Sequence, residues 1–301
     1  MNSTRKAYGE FLSEYGNNEN VVVLDADLAG ATKTDMFMKK FPMRHIDVGI
    51  AEQDLVGTAC GLALSGKTVF ASTFAMFMAG RAYDQIRNTA AYSHVNVNLC
   101  ATHAGVMVGE DGPTHQCIED IALMNVIPTM KVLAPADDIG TKKILELCTK
   151  EDGPKYIRLG RSDVEDVYNS DSKFEIGGSN VFGNGTDGTV FTYGSTLQIA
   201  LKAKEMLKAN GIDVRVVDLY SIKPVDRSII IKCAKETEKL VSIEDHSVIG
   251  GIGSIVSNVL CEEYPKKLEK IGINDTFGKS GNWKDVYKYF GLTEDNIISK
   301  F

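Results

Sequence analysis

The chain has 301 residues, of which 44% are hydrophobic and 24% charged, and its formal net charge at pH 7 is −7. The length allows two domains with separate cores, and the composition is that of a soluble globular protein. The acidic balance argues against binding to nucleic-acid phosphates, which requires clustered Lys and Arg. No apolar run approaches the roughly 18 residues of a membrane span, and the polar N-terminus has no signal-peptide core, so we expect a cytoplasmic protein that does not bind membranes.

The cysteines and histidines form no metal-binding pattern. The six cysteines are scattered without a C-x-x-C pair, which favours reduced and mostly structural thiols, although Cys100 and Cys117 flank a polar loop and are candidates for reactivity. No two of the five histidines have the i, i+4 spacing of a metal-binding helix. We therefore expect no metal site made by this chain alone. A nucleophilic serine also lacks its local signature, since no G-x-S-x-G turn is present.

Strands and helices alternate in the first half of the chain. A helix is predicted over residues 3–16 with Ser3 as its cap, and the apolar run from Val21 to Leu24 predicts a buried parallel strand that leads into Asp25 and Asp27. Further strands are predicted at residues 45–48, 67–72, 95–101, 131–134 and 155–159, and further helices at 52–65, 74–91, 118–124 and after 137. This order predicts an α/β fold whose mainly parallel sheet is covered on both faces and binds ligands at the carboxyl ends of its strands.

The second half of the chain predicts a smaller α/β domain. Residues 162–188 lose the periodicity and become polar and glycine-rich, so we place the first domain at 1–165, a linker at 166–188 and the second domain at 189–301. The strands predicted in the second domain are at 189–193, 213–218, 239–244 and 268–273, and the helices at 195–209, 226–236, 253–263 and 283–290.

A polar loop is the strongest functional signal in the sequence. Residues 100–119 read CATHAGVMVGEDGPTHQCIE and place His103, Asp111 and His115 among glycines and a proline that fix the backbone shape. Desolvating such side chains costs free energy unless a ligand or a polar network uses them. We therefore interpret this loop as part of a binding or catalytic site.

Glu52 has two interpretations, and so do two nearby phenylalanines. Because Glu52 follows an apolar Gly-Ile-Ala turn, it could lie in an apolar pocket and share a proton with a ring nitrogen of a ligand. Alternatively, it stabilises the dipole of a helix N-terminus by roughly 0.3–1 kcal/mol. Phe74 and Phe77 are either core residues or a stacking wall for a flat cofactor. The pattern alone leaves these alternatives open.

Two motifs in the second half are less specific. Residues 250–253 read Gly-Gly-Ile-Gly, which matches neither G-x-G-x-x-G nor the Walker pattern and predicts a structural tight turn before a helix. Residues 244–246 read Glu-Asp-His and are equally compatible with a metal or acid-base cluster and with a polar cap at the end of a strand.

Four stretches together resemble the transketolase family. Residues 109–116, GEDGPTHQ, resemble its highly specific signature, and residues 47–53, 72–77 and 101–103 resemble its companion motifs in the same order. The resemblance spans nearly the whole chain and covers the latter half of a full transketolase. It implies a domain with a mainly parallel sheet that binds the pyrimidine of thiamine diphosphate, followed by the smaller transketolase C-terminal α/β domain.

The resemblance also implies a reaction and a partner. The N-terminal domain of the family holds the diphosphate and Mg²⁺ through a G-D-G motif that this sequence lacks, so we expect the C-terminal subunit of a split transketolase. An N-terminal subunit would complete the site, with two copies of each chain in the assembly. The implied reaction moves a two-carbon ketol unit from a ketose phosphate to an aldose phosphate. The alternatives are a 1-deoxy-D-xylulose-5-phosphate synthase, the β subunit of a 2-oxo-acid dehydrogenase and a non-catalytic assembly partner.

The resemblance assigns the cofactor contacts residue by residue. Glu52 resembles the catalytic glutamate that hydrogen-bonds the thiamine pyrimidine and thereby activates the cofactor. Phe74 and Phe77 resemble the aromatic wall against that ring, and Asp27 resembles the acid near the cofactor. The family commonly has a third aromatic residue where this chain has Gly80.

The substrate contacts follow from the same resemblance. Asp111 and His115 resemble contacts to sugar hydroxyls or to the donor, and Arg5, His103 and Arg161 resemble the residues that hold the sugar phosphate. His103 and His115 are also expected to take part in catalysis. One departure concerns the phosphate: a serine usual in the family is replaced by alanine at position 31, with threonine next.

Overall fold

Two sheets organise the computed structural model, which describes residues 1–301. The strands, in chain order, are β1 (Val21–Asp25), β2 (His45–Asp47), β3 (Thr68–Phe74), β4 (Val97–Thr102), β5 (Lys131–Leu133), β6 (Lys155–Arg158), β7 (Asn180–Phe182), β8 (Gly188–Thr192), β9 (Val214–Asp218), β10 (Ser221–Lys223), β11 (Lys239–Ser247) and β12 (Glu269–Ile273). The first sheet has the strand order β10-β5-β6-β4-β3-β1-β2, and the second has β12-β11-β8-β9-β7. Only the edge strands β10 and β7 pair antiparallel. The predicted α/β fold with a mainly parallel sheet is therefore confirmed.

Helices cover both faces of the sheets. They are α1 (Thr4–Tyr15), α2 (Ala29–Thr32), α3 (Asp35–Lys40), α4 (Glu52–Leu64), α5 (Tyr83–Gln85), α6 (Asp120–Val126), α7 (Asp138–Lys150), α8 (Leu197–Ala209), α9 (Arg227–Glu236), α10 (Ile252–Glu263), α11 (Trp283–Tyr289) and α12 (Glu294–Ile298). None of them is long and apolar enough to cross a membrane. Ser3 stands at the start of α1, but its side chain makes no hydrogen bond to the helix, so its predicted role as a cap is wrong.

The alternation of side chains along β1 explains how the first sheet is covered on two faces. Val21 and Val23 point into a core with residues of α1, α3 and α7. Val22 and Leu24 point the other way, into a core with residues of α4 and α6. Because both faces are buried, the strand is apolar throughout until its last residue, Asp25.

One strand, β10, joins the two sheets; a strand ending at Lys223 was expected from the sequence, but its place in the first sheet was not. β10 comes between β9 and β11 of the second sheet, yet it pairs with β5 of the first. β7 lies inside the predicted linker, residues 166–188, and pairs with β9 of the second sheet. The division into 1–165, 166–188 and 189–301 stays a proposal, since β10 from the second unit completes the first sheet.

The segment after β3 differs most from its prediction. A continuous helix was expected over residues 74–91, but β3 continues through Phe74 and two wide π-helical turns follow, at Met76–Arg81 and Ile86–Tyr92, with α5 between them. Such turns add one residue per hydrogen-bonded ring and are often found at functional sites. Here the first turn carries Phe77 and Arg81 to the start of α4.

Candidate functional site

Four neighbouring strands deliver the predicted site residues to one edge of the first sheet. In the order β6, β4, β3 and β1 they are in register at Ile157, Cys100, Ser72 and Asp25. Because parallel strands end at the same edge, the segments that follow them lie side by side. Those segments carry Arg161, His103, Phe77 and Asp27, respectively.

Two phenylalanines and two histidines form one aromatic cluster at this edge. The rings of Phe74 and Phe77 are stacked, with centroids 5.7 Å apart and planes 12° apart. His103 stacks on Phe74 at 3.8 Å, and His115 lies edge-on to Phe77 at 5.4 Å. The flat faces of these rings suit a flat heteroaromatic ligand. Phe74 ends a strand and Phe77 lies in the wide turn, so the two rings do not come from one helix as the predicted helix at 74–91 implied.

Glu52 is bound by an arginine that the sequence did not single out. Arg81 donates from Nη1 to both carboxylate oxygens of Glu52, at 2.9 and 2.8 Å, and its guanidinium lies over the Phe77 ring at 4.6 Å. Glu52 is 2% exposed, whereas the Arg81 side chain is 49% exposed. Ile50, from the apolar turn before Glu52, is 75% exposed and does not cover the carboxylate. The spacing of four residues between Phe77 and Arg81 is the one sequence signal for this contact.

Hydrogen bonds fix the tautomer of His103. Arg5 Nη1 lies 3.2 Å from His103 Nε2, and a guanidinium can only donate, so Nε2 is the acceptor. The proton then lies on Nδ1, which is 2.9 Å from Thr102 Oγ1. Burial, aided by the charge of Arg5, lowers the pKa of His103 to about 2, so the imidazole is neutral at physiological pH. Its backbone also has a φ of 57°, a left-handed conformation that is strained for histidine.

Arg161 joins the polar loop to Arg5. Its Nη1 donates to the Val108 carbonyl and lies 3.5 Å from both Asp111 Oδ1 and Glu110 Oε2. Its backbone carbonyl accepts a hydrogen bond from Arg5 Nε at 2.9 Å. Burial and the charge of Arg161 lower the pKa of Arg5, as expected for two guanidinium groups held close together. This part of the site therefore favours an anion.

Asp27 lies at the same edge but makes different contacts. Its backbone has a φ of 60°, and its N–H donates to Asp47 Oδ1 at 3.0 Å. No hydrogen bond joins its side chain to Glu52. The structure therefore places Asp27 at the same edge as the other predicted site residues, with its backbone N–H bound by Asp47.

The two less specific motifs of the second half are explained by local contacts. Glu244 accepts the N–H groups of Ile252 and Gly253, at 2.7 and 3.0 Å, and so occupies the N-terminus of α10. The Gly-Gly-Ile-Gly segment is thus a tight turn, as predicted, and the acceptor at the helix N-terminus is the carboxyl group of Glu244 in the same chain. His246 is fully buried, 4.0 Å from Asp120, and no group of His, Cys, Asp and Glu side chains is arranged to hold a metal ion.

A groove extends the aromatic cluster towards the second sheet. It has a volume of about 740 Å³ and is bordered by Phe77 and Arg81 on one side and by Thr276 and Phe277 on the other. Phe277 is 80% exposed. Glu52 thus lies beside an open, partly apolar groove whose near wall is the Phe77 ring.

Comparisons with known proteins identify the family. Residues 1–166 match the transketolase pyrimidine-binding domain, and residues 177–297 match the transketolase C-terminal domain. The chain belongs to the transketolase family. It is 47% identical over 300 residues to a putative transketolase C-terminal section of Methanocaldococcus jannaschii, covering 98% of this chain and 94% of the relative. The predicted resemblance is confirmed.

The chain also matches a longer transketolase and a solved structure. The chain is 39% identical to human transketolase over 98% of its own length but spans only 48% of that relative. A solved structure named as a split-gene transketolase, in an inactive β4 tetramer, superposes with a TM-score of 0.93 at 47% identity and covers 100% of this chain and 97% of that one.

The residues of this transketolase chain fit one part of the cofactor that the family implies. The stacked Phe74 and Phe77 rings and the buried Glu52 carboxylate fit an aminopyrimidine, which offers a flat face and a ring nitrogen. No such fit exists for Mg²⁺, because no cluster of ligands is present. Thr32, which follows the alanine at position 31, donates its hydroxyl to the buried Asp25 at 2.6 Å.

Proposed function

We propose that this chain is the C-terminal subunit of a two-chain transketolase. It would transfer a two-carbon ketol unit from a ketose phosphate to an aldose phosphate, with thiamine diphosphate as cofactor. One observation carries this proposal. The buried Glu52 carboxylate and the stacked Phe74 and Phe77 rings lie at the same edge of the sheet as His103 and His115.

The roles of the chain follow from these contacts. When bound, thiamine diphosphate supplies a carbon nucleophile that can cleave and form carbon-carbon bonds. Glu52 would hold a proton at the pyrimidine nitrogen while Phe74 and Phe77 orient the ring. For that contact Arg81 must leave the Glu52 carboxylate, which its 49% exposure allows.

The anion-binding side of the site would hold the sugar phosphate. Arg5 and Arg161 provide guanidinium groups, and neutral His103 lies next to them. Asp111 and His115 would contact the hydroxyl groups of the sugar. Since His103 is neutral, it can exchange its acceptor contact with Arg5 for a hydrogen bond to the substrate without the cost of losing a proton.

A partner chain would complete the site. We propose that an N-terminal subunit holds the diphosphate and Mg²⁺ and that two copies of each chain assemble in the cytoplasm. The relatives with and without a fused N-terminal half support this division, since the chain covers 94% of one and 48% of another.

The test is reconstitution with the N-terminal subunit and an assay of ketol transfer from xylulose 5-phosphate to ribose 5-phosphate. Wild type should be active only in the pair, and Glu52→Gln should lower kcat by at least about 100-fold while circular dichroism shows an unchanged fold. Near-normal activity of Glu52→Gln would refute the assignment of Glu52. Transfer from pyruvate but not from a ketose phosphate would refute the reaction.

A further inference from the structure

The second half of the chain reaches the polar loop through one buried carboxylate. Asp245 lies in β11 and is 1% exposed. Its Oδ1 accepts the N–H of Val106 at 2.8 Å, and its Oδ2 lies 3.4 Å from the N–H of Met107. These are the first two residues of the helical turn Val106–Asp111, which ends at the predicted sugar contact.

The loop is shaped to receive this carboxylate. Gly105 has a φ of 74°, and a side-chain carbon at that position would overlap the Asp245 carboxylate. Glycine is therefore required both for the backbone conformation and for the close approach. A carboxylate that accepts two consecutive backbone N–H groups fixes the direction in which the turn begins.

Asp245 is itself held from behind. Tyr287 of α11 donates its hydroxyl to Oδ2 at 2.8 Å, and Arg158 donates to the Asp245 backbone carbonyl at 2.8 Å. Arg158 also pairs with the buried Asp120 at 2.9 Å. Burial raises the pKa of Asp245, and the nearby Arg158 charge opposes that shift. The carboxylate is thus oriented by groups from both halves of the chain.

We propose that Asp245 is a positioning residue that sets the sugar-reading loop from the second domain. The turn it anchors provides the Val108 carbonyl that holds Arg161 and the Asp111 carboxylate that faces it at 3.5 Å. If the start of the turn shifts, the Val108 carbonyl and the Asp111 carboxylate both move, because only a few residues separate them from the contact with Asp245. The inference rests on the proposed function for its effect on sugar binding.

Neighbouring Glu244 provides a matched control. Like Asp245, it is a fully buried carboxylate of β11 that accepts two backbone N–H groups, but those groups belong to α10 and not to the loop. Truncating either residue leaves two buried backbone N–H groups without a partner and lowers stability. Only truncation at 245 affects the loop.

The experiment compares Asp245→Ala, Asp245→Asn and Glu244→Ala in the full-length chain. In the reconstituted pair, Asp245→Ala should raise the KM for the sugar phosphates about tenfold while kcat changes less than about threefold, because it removes a hydrogen bond to a charged group. Asp245→Asn should restore only part of the loss, since its amide oxygen can accept from Val106 while its NH₂ takes the place of Oδ2 and faces the Met107 N–H. Glu244→Ala should leave KM unchanged.

Hydrogen exchange of the chain tests the anchor without the reaction. Asp245→Ala should speed exchange at residues 106–112 about tenfold or more, and Glu244→Ala should do so at the start of α10 instead. An unchanged loop in Asp245→Ala would overturn the proposal, as would equal KM increases in Asp245→Ala and Glu244→Ala. If the loop opens but the wild-type pair transfers no ketol group, the proposed function fails and the anchor stands.

Discussion

Arg81 and Glu52 form an ion pair in which one guanidinium nitrogen donates to both carboxylate oxygens, at 2.9 and 2.8 Å. The pair satisfies a carboxylate that is otherwise buried at the N-terminus of α4. It also places a cation over the Phe77 ring, at 4.6 Å. Arg81 therefore links Glu52 to Phe77, two of the side chains that would bind an aminopyrimidine.

The first prediction concerns the stability of this pair. Arg81→Ala should destabilise the isolated chain by about 1–2 kcal/mol, because Glu52 keeps a buried charge without its partner while Arg81 was half in solvent. Glu52→Gln should recover most of that loss in the double variant, since the neutral amide needs no counter-charge. Urea unfolding of the four proteins in the cycle measures the coupling.

The control for this cycle is Arg87→Ala. Arg87 lies in the second wide turn and its hydrogen bond is to the exposed side chain of Asn88. Its loss should change the unfolding free energy by less than about 0.5 kcal/mol. Additive effects of Arg81→Ala and Glu52→Gln would show that the pair contributes nothing in solution.

The α/β class, the mainly parallel sheet and the edge of the sheet that carries the site could be predicted from local patterns. The run from Val21 to Leu24 is apolar because both of its faces are buried, and that pattern is readable without a structure. The loop of His103, Asp111 and His115 stood out because folding alone does not explain its polar residues. These signals are local in sequence, so they survive in a single chain.

The features that could not be predicted depend on contacts between distant segments. The contact of Arg81 with Glu52 depends on how the first wide turn packs against the start of α4. Strand β10 crosses to the first sheet, and no short pattern records which sheet a strand joins. Asp245 was noticed as part of a polar cluster, but its partner, Val106, is 139 residues away in sequence.

A second prediction concerns acid stability. Burial lowers the pKa of His246 to about 4 from its ordinary value of 6.5. Between these two pH values the histidine is protonated in the unfolded chain and neutral in the folded chain. Stability is therefore present above pH 6.5 and falls as the pH drops towards 4, with a slope of at most about 1.4 kcal/mol per pH unit.

His246→Gln should flatten that slope, and unfolding midpoints measured from pH 7 to pH 4 report it. The carboxyl groups of Asp120 and Glu244 lie 4.0 Å from the ring and remain in both proteins, so the difference between the two profiles reports the histidine and its interaction with these groups. His94→Gln, at a half-exposed surface site, serves as the control. Parallel profiles for wild type and His246→Gln would contradict the prediction.

A third prediction concerns Gln116, which links the polar loop to the second domain. Its Nε2 donates to the carbonyl of Lys279 at 2.8 Å and to that of Gly109 at 3.2 Å. In Gln116→Glu a carboxylate oxygen would replace the donor and face these carbonyls in a buried place. We therefore expect the free energy of unfolding to fall by about 3 kcal/mol or more. Gln53→Glu, on the exposed face of α4, should change stability by less than about 0.5 kcal/mol. Equal unfolding free energies for the two variants would refute the role of Gln116.

The fourth prediction concerns which of two positions, Ala31 or Thr32, affects binding of the sugar phosphate. Thr32 is committed to Asp25, at 2.6 Å, while the Ala31 carbonyl is bound by Arg5 at 2.8 Å and its side chain lacks the hydroxyl usual in the family. Ala31→Ser should lower the KM for a sugar phosphate three- to tenfold, by about the net effect of one ordinary hydrogen bond. Thr32→Val should cost about 1–2 kcal/mol of stability and leave KM unchanged. A raised KM in Thr32→Val with no effect of Ala31→Ser would mean that Thr32 contacts the phosphate and that the bond to Asp25 only orients it.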